Sequence, residues 1–269
     1  MNIRVLKPGM LSTVQDRGRR MFQKYGVSVG GAMDEFAMRM ANVVLGNDEH
    51  APVLEMTLQG PVLAIEQGGW IAVCGADLLA KVDSEPLPLW RPVYVRSGTM
   101  LSFSIANIGC RAYLAVQGGF DVLKVMGSAS TNLRARFGGV EGRPLKAGDK
   151  LQAKQFGKEA AASGGVPPLP PASELAQSGR PKQPPLDAEG SFLTVPWFVS
   201  TNLFPQYNLY PVIRVFPGAE YELFSADSKK HFLRETYKMS TRSDRMGIQL
   251  EGPPLSREHD SEMISEAVT

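Results

Sequence analysis

Cysteine and histidine are scarce in this sequence, and both scarcities exclude a class of site. The two cysteines, Cys74 and Cys110, each lie inside an apolar run, and the three histidines have no metal-ligand spacing. A disulfide framework and a zinc cluster are therefore excluded, and we predict no metal site. Both cysteines are expected to be buried strand residues.

An excess of charge of one sign and a long apolar run are also absent. The sequence has 29 basic and 27 acidic residues, and its net charge of +2 is too small to attract nucleic acid. No apolar run reaches the about 18 residues that a membrane span requires, and residues 1–9 lack the apolar region of a signal peptide. These absences predict a soluble cytoplasmic protein that binds neither nucleic acid nor membrane.

Familiar catalytic motifs are missing as well. The sequence has no nucleophile elbow, phosphate-binding P-loop, Rossmann fingerprint, HExxH motif or EF-hand loop. Any chemistry must therefore come from polar residues gathered in loops.

Glycine and proline, by contrast, are abundant, with 27 and 20 residues. In the first 155 residues they cut the chain into short apolar runs, which is typical of a mainly β protein. The predicted strands are Ile3 to Leu6, Val53 to Leu58, Val62 to Glu66, Trp70 to Cys74, Leu78 to Val82, Val93 to Arg96, Met100 to Ile105 and Arg111 to Gln117.

One segment has helical spacing instead. Its apolar stripe predicts a helix of about 13 residues that ends at Gly46 and Asn47. The stripe consists of Met33, Ala37, Met40, Ala41 and Val44.

The composition predicts three regions: a first β unit over residues 1–157, a linker or long excursion over 158–191, and a second unit over 192–269. The middle region is rich in Ala, Ser and Gly and has seven prolines from Pro167 to Pro185. A proline-rich ligand at Pro167 to Pro171 is an alternative to a spacer. The last region predicts strands at Val212 to Phe216 and Ile248 to Glu251 and a helix at Asp227 to Glu235.

Two short sequence echoes link the outer regions. Arg4 to Gly9 resembles Arg214 to Gly218, and Leu58 to Leu63 resembles Leu250 to Leu255. Repeats in the same order suggest a duplicated β unit. Because far fewer residues follow the second copy, we expect the second unit to be incomplete.

The first candidate site loop runs from Ser12 to Arg20 and is followed by a glycine-rich turn that ends at Asp34. Arg17 and Arg19 supply planar donor forks for a carboxylate or phosphate, and Asp16 or Asp34 could position a proton or cation. The alternative is a structural Asp and Arg pair in a surface loop, with Asp34 in the first turn of the helix.

Two further loops complete the candidates. Ser128, Ser130 and Thr131 lie between glycines and could form an anion-binding nest, or an ordinary turn. Arg242 and Arg245 precede a predicted strand and could complete an anion site or pair internally.

Several strings occur in a specific order, among them VLKPGMLSTVQDRGRR, GVSVGGAMDEFAMRMANVVLGN, GSAST, FGGVEGRPLKAGD and TRSDRMGIQLEGPPL. Together they resemble the allophanate hydrolase subunit 2 family, also called the biotin-dependent carboxyltransferase family, which includes the C-type subunit of 5-oxoprolinase and the KipA regulator. The resemblance implies two cyclophilin-like β-barrel domains with a few short helices. It also implies that the second barrel is incomplete at Thr269.

The resemblance further implies a subunit of an ATP-dependent 5-oxoprolinase complex. A B-type (KipI-like) subunit would act with this chain in phosphorylating 5-oxo-L-proline with ATP and Mg²⁺, and an A-type subunit would open the ring to L-glutamate. The expected catalytic residues are Asp16, Arg17, Asp34 and Arg245, and the expected cofactor-binding residues are Arg19, Ser128, Ser130, Thr131 and Arg242.

Two other functions stay open at this point. One is a noncatalytic KipA-like regulator that binds a kinase inhibitor. The other is the carboxyltransferase component of a biotin-dependent urea carboxylase, which would need biotin on a partner because this chain lacks a biotin-acceptor motif. Relatives usually carry an arginine where this chain has Ala129, and the loss of such a contact would weaken anion binding by about 1 to 3 kcal/mol.

Overall fold

The computed structural model describes residues 1–154, 190–208, 212–243 and 247–258. The chain divides into two compact units, the first formed by Met1–Phe22 and Val29–Leu209 and the second by Gln23–Ser28 and Tyr210–Thr269. Most of the predicted linker lies outside the described residues, so its character stays a prediction.

The first unit is mainly β, which confirms the expected fold class. In the described part of this unit, helix α1 (Glu35–Val43) and a 3-10 turn, Thr201–Leu203, accompany the strands. The strands are β1 (Asn2–Lys7), β2 (Leu11–Gln15), β3 (Val53–Thr57), β4 (Val62–Gln67), β5 (Gly69–Asp77), β6 (Lys81–Val82), β7 (Glu85–Pro86), β8 (Val93–Val95), β9 (Met100–Ser102), β10 (Ile108–Val116), β11 (Lys150–Gln152) and β12 (Phe192–Thr194).

These strands form two six-stranded antiparallel sheets. One has the order β11-β1-β4-β9-β6-β7 and the other β12-β8-β5-β10-β3-β2. Neither sheet closes on itself, so among the described residues the barrel takes the form of two open sheets. Strand β12 pairs with β8, which places Phe192–Thr194 in the first unit rather than at the start of the second.

The core follows from the alternation of side chains along the strands. On β10, Ala112 and Leu114 face the main apolar core, whereas Tyr113 and Ala115 face a second cluster that includes α1. The second sheet is therefore covered on both faces, and its central strands are apolar at almost every position.

Helix α1 packs on β5 and β10 through its buried Ala37, Met38 and Ala41. It has 9 residues rather than the predicted 13, because Asp34 caps its N-terminus. Met33 therefore precedes the helix and is 44% exposed, although it was expected in the apolar stripe.

Four expectations within the first unit were wrong. Leu11–Gln15 forms strand β2 against β3, not a loop. The strand predicted at Leu78 to Val82 is reduced to two residues because Leu79 adopts a positive φ of 50°, which interrupts an extended chain. Strand β9 ends at Ser102 and does not reach Ile105. Cys110 is exposed, unlike the buried Cys74.

The second unit contains α2 (Ala226–Arg234), β13 (Lys238–Met239) and β14 (Leu250–Glu251), and its described residues also form the 3-10 turns Gln23–Tyr25 and Tyr221–Leu223. The predicted helix is confirmed, and the second predicted strand is confirmed only at its end. Residues 212–216 are not a strand, because no described segment pairs with them, and Val212 and Phe216 are 94% and 92% exposed. No helix in the described ranges is long and apolar enough to span a membrane.

Candidate functional site

The end of strand β2 places Asp16 in a buried cluster of hydrogen bonds. Its Oδ1 accepts from the hydroxyls of Ser128 and Ser130, both at 2.6 Å, and from the amide of Gly18 at 2.8 Å. Its Oδ2 accepts from the amide of Ala129 at 2.6 Å. We call these five residues the aspartate clasp, which joins the loop after β2 to residues 128–130.

The aspartate clasp uses most of the hydrogen-bonding capacity of its members. A carboxylate has about four acceptor positions, and here four donors occupy Asp16. Ser130 Oγ also accepts from the amide of Asp16 at 2.9 Å, and Ser128 Oγ accepts from the amide of Ser130 at 3.0 Å. The structure therefore brings Asp16, Ser128 and Ser130, candidates from two separate loops, into one closed network with little left for a ligand. Their catalytic and cofactor-binding roles stay predictions.

Thr131 anchors the same loop to β2. Its hydroxyl donates to the carbonyl of Val14 at 2.9 Å, and its own carbonyl accepts weakly from Gln15 Nε2 at 3.4 Å. Gln15 Oε1 is buried and has no hydrogen-bond partner within the described part of the chain. Thr131 thus holds the loop in place, and a direct role in cofactor binding also stays a prediction.

Arg19 lies beside the aspartate clasp and is only 1% exposed. Its Nη2 donates to the carbonyl of Ser130, its Nε donates to that of Val125 at 3.4 Å, and its Cζ lies 4.7 Å from the centre of the Phe137 ring. Burial lowers the pKa of this guanidinium and the charge of Asp16 opposes that effect, but an arginine remains cationic near neutral pH. Arg19 Nη1 has no hydrogen-bond partner in the described ranges.

Two glycines line the guanidinium. A Cβ on Gly30 would lie 3.4 Å from Nη1, and a Cβ on Gly138 would lie 3.0 Å from Nη2. Both glycines have a positive φ, +66° and +73°, which other residues rarely adopt. Arg19, Gly30, Ser130, Phe137 and Gly138 define what we call the Arg19 niche.

Asp34 lies in a separate network. Its side chain accepts from the amide of Ala37 at 2.9 Å and from the hydroxyl of Tyr207 at 2.8 Å. Its amide donates to the hydroxyl of Tyr113 at 2.7 Å. Burial, followed by the hydrogen bond and charge of Asp34, raises the pKa of Tyr207 above its ordinary value. Asp34 is a helix cap, in keeping with the structural alternative, and its catalytic role stays a prediction.

The sequence interpretation missed Glu55, which is 1% exposed. Its Oε2 accepts from the amide of Met33 at 2.9 Å and from the hydroxyl of Tyr113 at 3.0 Å. Burial and the charge of Glu55 raise the pKa of Tyr113, which therefore remains a neutral hydroxyl. A glutamate in the middle of an apolar strand was the available signal, since such a carboxylate needs buried partners.

Arg17 points to the surface. Its Nε lies 3.3 Å from Glu35 Oε1, and its Nη1 lies 3.2 Å from His50 Nε2. The neighbouring Arg39 binds Glu49 at 2.7 Å, and this hydrogen bond is the main reason that the pKa of Glu49 is lowered. Arg17 thus belongs to an exposed charge cluster, where a polyanion could replace Glu35 as the partner of the Arg17 guanidinium.

Arg242 and Arg245 belong to the second unit. Arg242 is exposed, and its amide donates to Ser240 Oγ at 3.3 Å. Arg245 lies outside the described residues. The joining of these arginines to the residues of the first unit stays a prediction. In the portion of the chain that the structure describes, no group of three His, Cys, Asp or Glu side chains could hold a metal ion.

Comparison with known proteins identifies the family. A family model for the carboxyltransferase domain, subdomains A and B, matches residues 25–269. The chain belongs to the carboxyltransferase domain family. This confirms the resemblance that the sequence strings indicate.

Individual members of the carboxyltransferase family extend the match. The C-type subunit of 5-oxoprolinase from Escherichia coli (strain K12) is 35% identical over 263 residues, which cover 98% of this chain and 73% of that protein. Urea amidolyase of Saccharomyces cerevisiae is 31% identical over 256 residues, 93% of this chain but only 12% of that protein. The crystal structure of Kluyveromyces lactis urea carboxylase matches with a TM-score of 0.74 at 29% identity, over 96% of this chain and 21% of that chain.

The residues brought together in the first unit therefore belong to a carboxyltransferase-family fold. Ala129, where the resemblance implies an arginine, is fully buried and donates its amide to Asp16. Beside this loop lies the buried guanidinium of Arg19, whose Nη1 has no hydrogen-bond partner among the residues that the structure describes.

Proposed function

We propose that this chain is a subunit of a cytoplasmic, ATP-dependent 5-oxoprolinase complex. In that complex it acts with a B-type subunit in phosphorylating 5-oxo-L-proline, and an A-type subunit then opens the ring to L-glutamate. The observation that carries the proposal is the 35% identity to the C-type subunit of 5-oxoprolinase over 98% of this chain. A match over 73% of that relative covers most of its length, unlike the 12% match to urea amidolyase.

The reaction explains why a fixed cation is useful. A lactam is a stable amide, and transfer of the ATP γ-phosphoryl group to the lactam oxygen, with release of ADP, converts that oxygen into a leaving group. Addition of water at the ring carbon and cleavage of the C–N bond then give an acyl phosphate, and a second water displaces phosphate from it to complete the carboxylate of glutamate. Negative charge accumulates on oxygen in these steps, and guanidinium groups in a low-dielectric site stabilise it.

The two kinds of arginine in the first unit suit different anions. The Arg19 niche is enclosed by glycines and an aromatic ring, so it does not suit a triphosphate. Arg17, with a side chain that is 41% exposed and paired with Glu35, has the accessibility that a nucleotide requires. ATP therefore belongs with Arg17 in this proposal, and the roles expected for Arg242 and Arg245 of the second unit stay separate predictions.

The deciding experiment measures glutamate release from 5-oxo-L-proline by the complex of this chain with its A-type and B-type partners, with and without ATP. We expect turnover that requires both ATP and this chain. Turnover that persists when this chain is omitted, or no turnover by a well-formed complex, would contradict the proposal. The second outcome would shift support to a KipA-like regulator.

A carboxyltransferase function is the second candidate, supported by the match to urea carboxylase with a TM-score of 0.74. In this case carboxybiotin on a partner would donate its carboxyl group to urea, and biotin would be the cofactor. Inhibition by avidin and a requirement for bicarbonate would support this candidate, whereas an avidin-resistant, ATP-dependent release of glutamate would exclude it.

A further inference from the structure

Arg19 carries a buried charge that no salt bridge neutralises directly. It is 1% exposed, and within the described ranges it forms no ion pair with a carboxylate. Asp16 is the acidic residue whose charge acts on it, but both oxygens of that carboxylate are occupied within the aspartate clasp. A buried cation that is bonded only to carbonyls, with no anion directly paired to it, is costly, so this arrangement favours an anion at the guanidinium.

One edge of the guanidinium is left for such a group. Nε and Nη2 are held by the carbonyls of Val125 and Ser130, which fixes the plane of the fork. Nη1 has no partner in the described part of the chain and lies next to Gly30. With glycine there, the space in front of Nη1 lacks the Cβ that any other residue would place 3.4 Å away.

The enclosure limits what can enter. Phe137 covers one face of the guanidinium at 4.7 Å, and Gly138 leaves no room for a side chain beside Nη2. A planar carboxylate can accept from the remaining edge of a fixed guanidinium, whereas a phosphate chain needs more room and more donors than one nitrogen supplies.

We infer that the Arg19 niche binds the carboxylate of a small substrate, and that it does not bind the phosphates of a nucleotide. The inference deepens the proposed function and relies on it for the identity of that substrate, 5-oxo-L-proline. The lactam ring would then be held by its carboxylate at Arg19.

The test compares 5-oxo-L-proline with 2-pyrrolidinone, which is the same lactam without the carboxylate. In the assembled complex, Arg19→Lys keeps a positive charge but loses the Nη1 donor. We expect it to lower kcat/KM for 5-oxo-L-proline by about 10- to 100-fold, the range for one charged hydrogen bond, mainly through KM. The KM for ATP and the activity on 2-pyrrolidinone should stay unchanged.

Arg4→Lys is the matched control, because Arg4 is half exposed and pairs with Glu66 at 2.9 Å on β1, away from the loops of the niche. It should leave the activity on both lactams and the KM for ATP unchanged. If Arg19→Lys raises the KM for ATP, or weakens both lactams equally, the carboxylate assignment is wrong and Arg19 is a nucleotide contact or a structural residue.

A second measurement needs no variant and no turnover. Hydrogen exchange of residues 125–139 should slow when 5-oxo-L-proline is added to the wild-type protein, and should not change with 2-pyrrolidinone. This result would support the niche even if the complex fails to hydrolyse 5-oxo-L-proline, a failure that would contradict only the proposed function. Equal protection by both compounds, or no protection by either, would overturn the assignment of the carboxylate to the Arg19 niche.

Discussion

The two units contain nearly the same short sequence in very different surroundings. Ile3-Arg4-Val5 lies on β1, which is paired on one side with β4 and on the other with β11. Ile213-Arg214-Val215 forms no strand in the described residues. Ile3 is 1% exposed, whereas Ile213 is 77% exposed.

The difference shows that alternation of apolar residues gives a segment the capacity to be a strand, and partner strands decide whether it becomes one. Backbone groups of a single extended segment remain unpaired until neighbours supply a ladder of hydrogen bonds. The first unit supplies these partners from distant positions in the sequence, at Val62–Gln67 and Lys150–Gln152. Local propensity alone does not determine this outcome.

The largest effect is expected from breaking the aspartate clasp. Asp16→Ala leaves two buried hydroxyls and two amides without their acceptor, so we expect a loss of about 3 to 5 kcal/mol in the free energy of unfolding. Urea unfolding followed by tryptophan fluorescence measures it, because Trp70, Trp90 and Trp197 all lie in the first unit. Asp227→Ala, at an 84% exposed side chain of the second unit, is the control and should change stability by less than about 0.5 kcal/mol. A small loss for Asp16→Ala would mean that the loop rearranges to satisfy its donors.

The two copies of the repeated sequence allow a matched pair of substitutions, at the buried Ile3 and the exposed Ile213. Ile3→Ala removes a fully buried side chain and should cost about 2 to 4 kcal/mol, whereas Ile213→Ala should cost less than about 0.5 kcal/mol. Urea unfolding, monitored by hydrogen exchange of peptides from both units, measures the loss of stability caused by each substitution. Equal losses would show that Ile213 is covered in solution by a partner or by another part of the protein.

A smaller effect is expected at the helix caps, which occur in both units. Asp34 caps α1 and also accepts from Tyr207, so Asp34→Ala should cost about 1 to 2 kcal/mol, visible in global unfolding. Ser225 caps the largely exposed α2 with a bond of 3.2 Å to the amide of Ser228. Ser225→Ala should cost about 0.5 to 1 kcal/mol and appear as faster hydrogen exchange within α2. Asp34→Asn keeps a capping oxygen and should restore most of the loss, unless the charge at this position is itself needed.

The sequence sufficed for the parts of the fold that depend on local pattern. The mainly β class, the helix capped by Asp34 and most strands up to β10 follow from alternation and turn residues. Strand β2 was missed because its polar Ser12, Thr13 and Gln15 resemble a loop. In the structure these polar side chains are buried. Gln15 donates to the carbonyl of Thr131, far along the chain, whereas Ser12 donates to the carbonyl of Pro8 and Thr13 accepts from Gln15. No local pattern predicts the contact with Thr131.

The candidate site, like the fold, could be predicted from the sequence only in part. Residue type and resemblance singled out Asp16, Arg19 and the hydroxyls of Ser128 and Ser130 in two separate loops, and the structure shows that they form one cluster. Which of them keeps a free donor could not be predicted, because that depends on where each hydrogen bond ends. Glu55 escaped notice for the same reason, since its partners are a backbone amide and a tyrosine on other elements.

Small effects on the free energy of unfolding are expected for ion pairs, and their pH dependence allows one pair from each unit to be compared. Asp149 accepts from Arg143 through both oxygens, at 2.7 and 2.9 Å, and mainly this hydrogen bond lowers the pKa of Asp149 in the folded protein. The stabilisation is therefore fully present above the unfolded value of about 3.9 and is lost as the pH falls through the lower, folded pKa. Because the pair is partly exposed, Asp149→Asn should cost only about 1 kcal/mol at pH 7.

Urea unfolding of wild type and Asp149→Asn from neutral pH downward measures this effect, and the difference between the two should shrink as Asp149 becomes protonated. Glu222→Gln in the second unit is the matched change. Its carboxylate is 83% exposed beside Lys229, so solvent screens the pair and the loss should be about 0.5 kcal/mol or less. A difference at Asp149 that does not vary with pH would show that shape and hydrogen bonding, which asparagine retains only in part, stabilise this turn more than charge does.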